Sequence, residues 1–128
     1  MKKFKKGVVI RRLRRLLSEY CHLRDKKCQR CHRTSGKLDT SHIFPKGHYP
    51  SMQFLTENVK LLCFQCHRRW HEHPIWATFW IKQYLGEARY NALIEISKTT
   101  KTVDRVFLEE TEINLKEKIA ELTEALND

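Results

Sequence analysis

Two cysteine pairs constrain this chain more than any other feature. Cys28-Gln-Arg-Cys31 and Cys63-Phe-Gln-Cys66 stand about thirty residues apart, and each is a C-x-x-C knuckle that offers two thiolates to one ion. Two knuckles at this separation close a single tetrahedral site around Zn2+. Four thiolates leave no open coordination position, so such a zinc holds a fold together and does no chemistry on a substrate. A chain of 128 residues gains from this clamp, because burial alone stabilises so small a domain only marginally.

Paired thiols that bind metal imply a reducing compartment. The apolar run Val8-Val9-Ile10 is broken at once by Arg11-Arg12, too short for a signal-peptide core, and no stretch approaches a membrane span. The expectation is a cytoplasmic protein with no membrane partner. The fifth cysteine, Cys21, has no C-x-x-C mate and sits in an apolar helical pattern, which reads as a small buried residue.

The formal net charge is +10, and it is uneven. Residues 1–37 hold fourteen Lys/Arg against two Asp/Glu, whereas residues 99–128 hold four against eight. A basic front half fits a polyanion, with nucleic acid ahead of an anionic surface. Residues 1–7 read as a mobile basic tail. A basic helix over 8–24 carries Val9, Leu13, Leu16, Leu17 and Tyr20 at helical spacing, with Arg11, Arg12, Arg14 and Arg15 mostly opposite. Its apolar side can dock on a core while the arginines meet phosphates.

The knuckles bracket a zinc-stapled core over 28–73. Leu38 to Phe44 reads as a strand, Ser51 to Leu55 as a second one across a long loop, and Thr56 as a cap. A helix begins at or near Cys66. Supporting helices follow over 74–97. Pro74 opens the first, Gly86 ends it, and Trp76, Phe79, Trp80 and Tyr84 form a stripe read as core. In the second helix Ala88, Ala92, Leu93 and Ile96 are expected to face inward. Residues 99–128 form a polar linker and an acidic C-terminal helix. Its Leu115, Ile119, Leu122 and Leu126 make a narrow seam that could pair two chains into a homodimer. The fold class is α+β, with residues 1–98 as the main domain.

The reactive candidates are the histidines of the core. His67 and His71 are four apart on one helix and share a face, an arrangement that holds a divalent cation from a single helix. A third group from the first strand would leave an open metal able to polarise a phosphate. His42 on that strand is the best candidate general base, since an imidazole titrates near working pH.

The succession C-x-x-C, Ser41-His42-Ile43-Phe44-Pro45, Glu57-Asn58 and Leu62-Cys63-x-x-Cys66-His67-x-x-x-His71 resembles the HNH (ββα-metal) endonucleases that carry a four-cysteine structural zinc. The flanks Leu17 to Arg24, Trp70 to Pro74 and Gly86 to Tyr90 resemble phage recombination nucleases of the NinG/Rap type. The resemblance implies a treble-clef-like HNH core and hydrolysis of DNA phosphodiesters with Mg2+ or another divalent cation. It implies His42 as general base and Asn58 as the residue that holds the loop and orients it. His67 would be a ligand of the catalytic metal, and His71 a second ligand or a phosphate contact. It also suggests branched or recombining DNA as substrate, in a phage or prophage setting and hence in the host cytoplasm. Arg11, Arg12, Arg14, Arg15, Lys46, Arg68 and Arg69 would grip the DNA backbone. One position departs from the pattern: many HNH proteins place Asp or His immediately before the base, and this chain has Ser41. Asp39 shares its strand parity and is the candidate replacement ligand. A zinc-finger nucleic-acid-binding module without catalysis is the alternative.

Overall fold

A computed structural model describes residues 3–128. Among these residues, five α-helices surround a two-stranded antiparallel sheet in an α+β arrangement. Helix α1 spans Lys6–Asp25, so it takes in the last two residues of the expected basic tail. Residues 1 and 2 of that tail lie outside the described residues. Leu13, Leu17 and Cys21 recur every four residues and are the buried stripe of α1. Lys26, in the left-handed region at φ 66°, ends the helix and donates its backbone N–H to His22 O.

Strand β1 (Leu38–His42) pairs with β2 (Val59–Cys63), in the register Leu38↔Cys63 through Ser41↔Lys60 to His42↔Val59. The expected strand over Ser51 to Leu55 is not one. Pro50–Met52 forms a single 3-10 turn, and Thr56–Asn58 forms another immediately before β2. The reason is visible in β2 itself. All five of its residues are buried, so it reads as a short apolar run with no in–out alternation to mark it as a strand. Leu55, not Thr56, is the cap of the second 3-10 turn, and the Thr56 hydroxyl donates to Glu57 Oε2 instead.

The sheet lies between two groups of helices. Val59 and Leu61 face α1 and join Leu13, Leu17 and Cys21 in one cluster. Leu62 faces the other way, with Cys28, Cys63, Cys66, Trp70 and Trp80. The end of α1 is tied to β2 by charge. Asp25 Oδ2 accepts from Leu61 N at 2.9 Å, and Arg24 donates to Thr56 O at 2.8 Å and Val59 O at 2.7 Å. Hydrogen bonds of this charged kind contribute about 1.5–3 kcal/mol each.

Helix α2 (Phe64–Glu72) starts directly after β2, and α3 (Pro74–Leu85) follows across His73 with proline at its first turn. Gly86, at φ 82°, joins α3 to α4 (Glu87–Ser97). The aromatic stripe of α3 is only partly core. Trp76, Trp80 and Tyr84 stack in a ladder with centroids 6.3 and 5.0 Å apart, while the buried face is Ala77, Ile81 and Leu85. Phe79 is 63% exposed, because it projects from the side of α3 opposite Ala77 and Ile81. Of the four residues expected inward on α4, only Leu93 is buried. Helix α5 (Arg105–Asn127) is capped by Asp104, whose side chain accepts from Phe107 N. It packs along α1, burying Leu108 and Leu115 in the α1 cluster. Of the expected seam, Leu115 is thus used within the chain, whereas Leu126 is exposed.

Candidate metal centre and histidine site

The two knuckles converge. The Sγ atoms of Cys28, Cys31, Cys63 and Cys66 all lie within 4.8 Å of one another, and those of Cys31 and Cys63 are 3.7 Å apart. Zinc–thiolate bonds of about 2.3 Å in a tetrahedron set sulfurs roughly 3.8 Å apart, so the four residues fit one zinc. Strand β2 delivers Cys63 at its end and α2 presents Cys66 in its first turn. The turn after α1 carries Cys28 and Cys31. Burial works against ionising Cys28, but the backbone N–H groups of Cys31, Cys63 and Arg30 outweigh it and hold the thiol down, at about 6. Burial pushes the Cys66 thiol up to about 12. Coordination deprotonates a thiol outright, and Arg30 Nη1, 3.5 Å from Cys66 Sγ, would offset the resulting negative charge. Arg30 also lies over Trp76 at 4.8 Å. A lone arginine inside a knuckle gives no sequence signal of this role.

On the α2 side of β1, Asp39, His67 and His71 come together. His67 Nδ1 is 3.2 Å from Asp39 Oδ2, and His67 Nε2 is 3.0 Å from His71 Nε2. A carboxylate only accepts, so the His67 hydrogen belongs on Nδ1 and Nε2 keeps its lone pair. Two imidazole nitrogens about 3 Å apart match two ligands of one cation at metal–nitrogen bonds of about 2.1 Å. Asp39 then orients His67 from across its ring, the usual carboxylate–histidine support of a metal ligand. Lys37 Nζ is 3.7 Å from the other Asp39 oxygen. These residues line an open depression with Thr40, Phe64 and Arg68. Burial, then His67 and Lys60, hold His71 below the ordinary histidine value.

His42 is not among the residues around that depression. By register it shares a sheet face with Thr40, whereas Asp39 and Ser41 occupy the other. Its Nε2 donates to Gln53 O at 2.8 Å, which leaves Nδ1 as the free acceptor. Burial depresses its pKa; the Gln53 bond works against this, and Lys46, Lys60 and Arg14 add to the depression. Asn58 is fully buried and bridges the loop: it accepts from Phe44 N and donates to Phe44 O and Met52 O, at 2.8 to 3.1 Å. Met52 precedes Gln53, so Asn58 fixes the segment whose carbonyl holds His42. Ser41 is buried, with Oγ on Asp39 O at 3.3 Å.

The basic residues fall into two groups. Arg11, Arg14, Arg15 and Lys46 are exposed and have no ion-pair partner among the described residues, whereas Arg68 and Arg69 are exposed but partnered. Arg12 is paired with Glu112 of α5 at 2.7 Å, Arg68 with Glu72 at 2.8 Å, and Arg69 lies over Trp76 at 4.2 Å. No helix among the described residues is long and apolar enough to cross a membrane. Lys60 is the residue that sequence reading passed over: it sits in an apolar run, is 1% exposed, and lies with Nζ 3.5 Å from the Trp70 ring centroid. No protein-family model, no curated protein and no solved structure matches this chain.

Proposed function

We propose that this protein is a metal-dependent DNA endonuclease of the HNH (ββα-metal) type with a structural zinc. The observation that carries the reading is the pair of His67 and His71 Nε2 atoms, 3.0 Å apart at the mouth of an open depression. Among the described residues strand β1 pairs only with β2, and its outer edge carries no further strand, although His22 Nε2 reaches Leu38 O at 3.1 Å. A DNA backbone laid along that edge would meet the His67–His71 pair on one side and His42 on the other. His67 and His71 would hold a divalent cation that polarises the phosphate. His42, its pKa lowered by burial and nearby cations, would take a proton from water on Nδ1. Arg14 and Lys46 raise the positive potential around His42 and would hold flanking phosphates, with Arg11 and Arg15. Branched or recombining DNA is the substrate class that the NinG/Rap resemblance suggests.

A nucleic-acid-binding module without catalysis is the second reading. It is favoured by Ser41, a buried hydroxyl bonded to Asp39 O in place of an acid. Incubating supercoiled plasmid with zinc-loaded protein and Mg2+ or Mn2+ separates the two. Metal-dependent nicking that His42→Ala abolishes supports the nuclease, and binding without nicking supports the module.

A further inference from the structure

Helix α3 puts two large apolar side chains into solvent. Ile75 is 88% and Phe79 63% exposed. They stand four residues apart, so they share one side of the helix. With the half-buried Trp76 they line an open hollow. Contiguous exposed apolar residues of this size mark a contact surface. The charges around the hollow select the partner. Arg30 and Arg69 both lie over the Trp76 ring, at 4.8 and 4.2 Å from its centroid. A ring face orients a guanidinium without neutralising it, and neither arginine has a carboxylate partner among the described residues. Arg30 directs Nη1 at Cys66 Sγ, and Arg69 is exposed. The one carboxylate that lines the hollow, Glu72, is held by Arg68 at 2.8 Å. Arg68 in turn lines the histidine depression, so this ion pair is the shared edge of the two hollows. Apolar rings bordered by guanidiniums that no carboxylate neutralises fit a partner that is anionic and carries planar, apolar faces. Nucleotides with unpaired bases have both properties. A duplex offers only the anionic backbone, because its bases are stacked inside.

We propose that Ile75, Trp76 and Phe79 form a stacking platform for the unpaired bases of single-stranded DNA, whose phosphates meet Arg69 and Arg30. A strand that crosses the Arg68–Glu72 edge from the histidine pair arrives on this platform. The substrate is then a duplex with a single-stranded arm, and α3 holds the arm. The link from platform to histidine pair rests on the nuclease reading. Binding of single strands at α3 does not.

The test is titration of zinc-loaded, full-length protein, without added Mg2+, with a single-stranded oligonucleotide carrying 2-aminopurine and with a blunt duplex of the same length. Anisotropy gives the affinities, and 2-aminopurine emission reports stacking. Wild type is expected to bind the single strand and quench its 2-aminopurine. Phe79→Ala, a change at an exposed position, should lower the ratio of single-strand to duplex affinity by about tenfold or more. Phe79→Trp should restore both the ratio and the quenching. Arg69→Gln should reduce the slope of log affinity against log salt on the single strand by about 0.7. Folded Phe79→Ala with the wild-type ratio overturns the proposal, as does an Arg69→Gln slope equal to that of wild type. A dimer at micromolar concentration that Ile75→Ser dissociates also overturns it, by giving the patch to a second copy of the chain. Wild type that binds single strands through Phe79 but never nicks DNA removes only the nuclease reading. Wild type that nicks DNA, while Phe79→Ala keeps the wild-type affinity ratio, removes only this one.

Discussion

Lys60 lies directly across the sheet from Ser41, a buried ammonium facing a hydroxyl. Its burial holds the pKa well below the ordinary 10.5, at about 7. The unfolded chain therefore binds this proton more tightly than the folded one does. The penalty on stability is full below about pH 7 and fades as pH rises toward 10.5.

The first prediction concerns that penalty. Lys60→Met should be more stable than wild type at pH 6 by a few kcal/mol, and the gap should close as pH approaches 10.5. Denaturant unfolding of both proteins across this range measures it. A gap that widens with pH would contradict the assignment.

The second concerns the zinc. One zinc per chain is expected, and its removal by a strong chelator should abolish cooperative thermal unfolding. Structural zinc contributes on the order of 10 kcal/mol to small domains. Cys63→Ser should behave like the chelated protein, because it opens the four-sulfur site between β2 and α2. Circular dichroism against metal content checks both.

The third concerns α5. Leu115 is 1% exposed against the α1 cluster, so Leu115→Ala should cost about 2–5 kcal/mol. Leu126→Ala, at an exposed position, should cost under about 0.5 kcal/mol. Equal effects would mean that α5 is not part of the α1 core.

The fourth concerns pH and rate. A base must be unprotonated to act, so the acid limb of nicking should fall below the ordinary histidine value of 6.5, where His42 is held. Lys46→Gln removes one of the charges that hold it there and should move the limb upward. A midpoint unmoved by this change would take the base away from His42.

Much of the site was legible in the spacing. The C-x-x-C pairs predict four converging thiolates, and the interval of four between His67 and His71 predicts a shared helix face. Both follow from local geometry, which sequence encodes directly. The second strand was misplaced, because β2 is buried on both faces and carries no alternation. The sides taken by Asp39 and His42 depend on strand register, which only the pairing with β2 sets. Lys60 was missed for a related reason: a lysine in Val59-Lys60-Leu61-Leu62 reads as a solvent-facing residue until both faces of β2 are known to be covered. The role of Leu115 turned on whether α1 or a second chain covers it, which a seven-residue pattern leaves open.

Plasmid nicking tests the central claim most directly. Supercoiled DNA is incubated with zinc-loaded wild type or His42→Ala, with Mg2+ or Mn2+ and with neither. The account predicts that wild type converts supercoiled to nicked DNA only when the added cation is present. His42→Ala should lose at least about a hundredfold in rate while still binding DNA. Equal cutting by the two proteins, or DNA binding by zinc-replete wild type with no cation-dependent nicking, would contradict it.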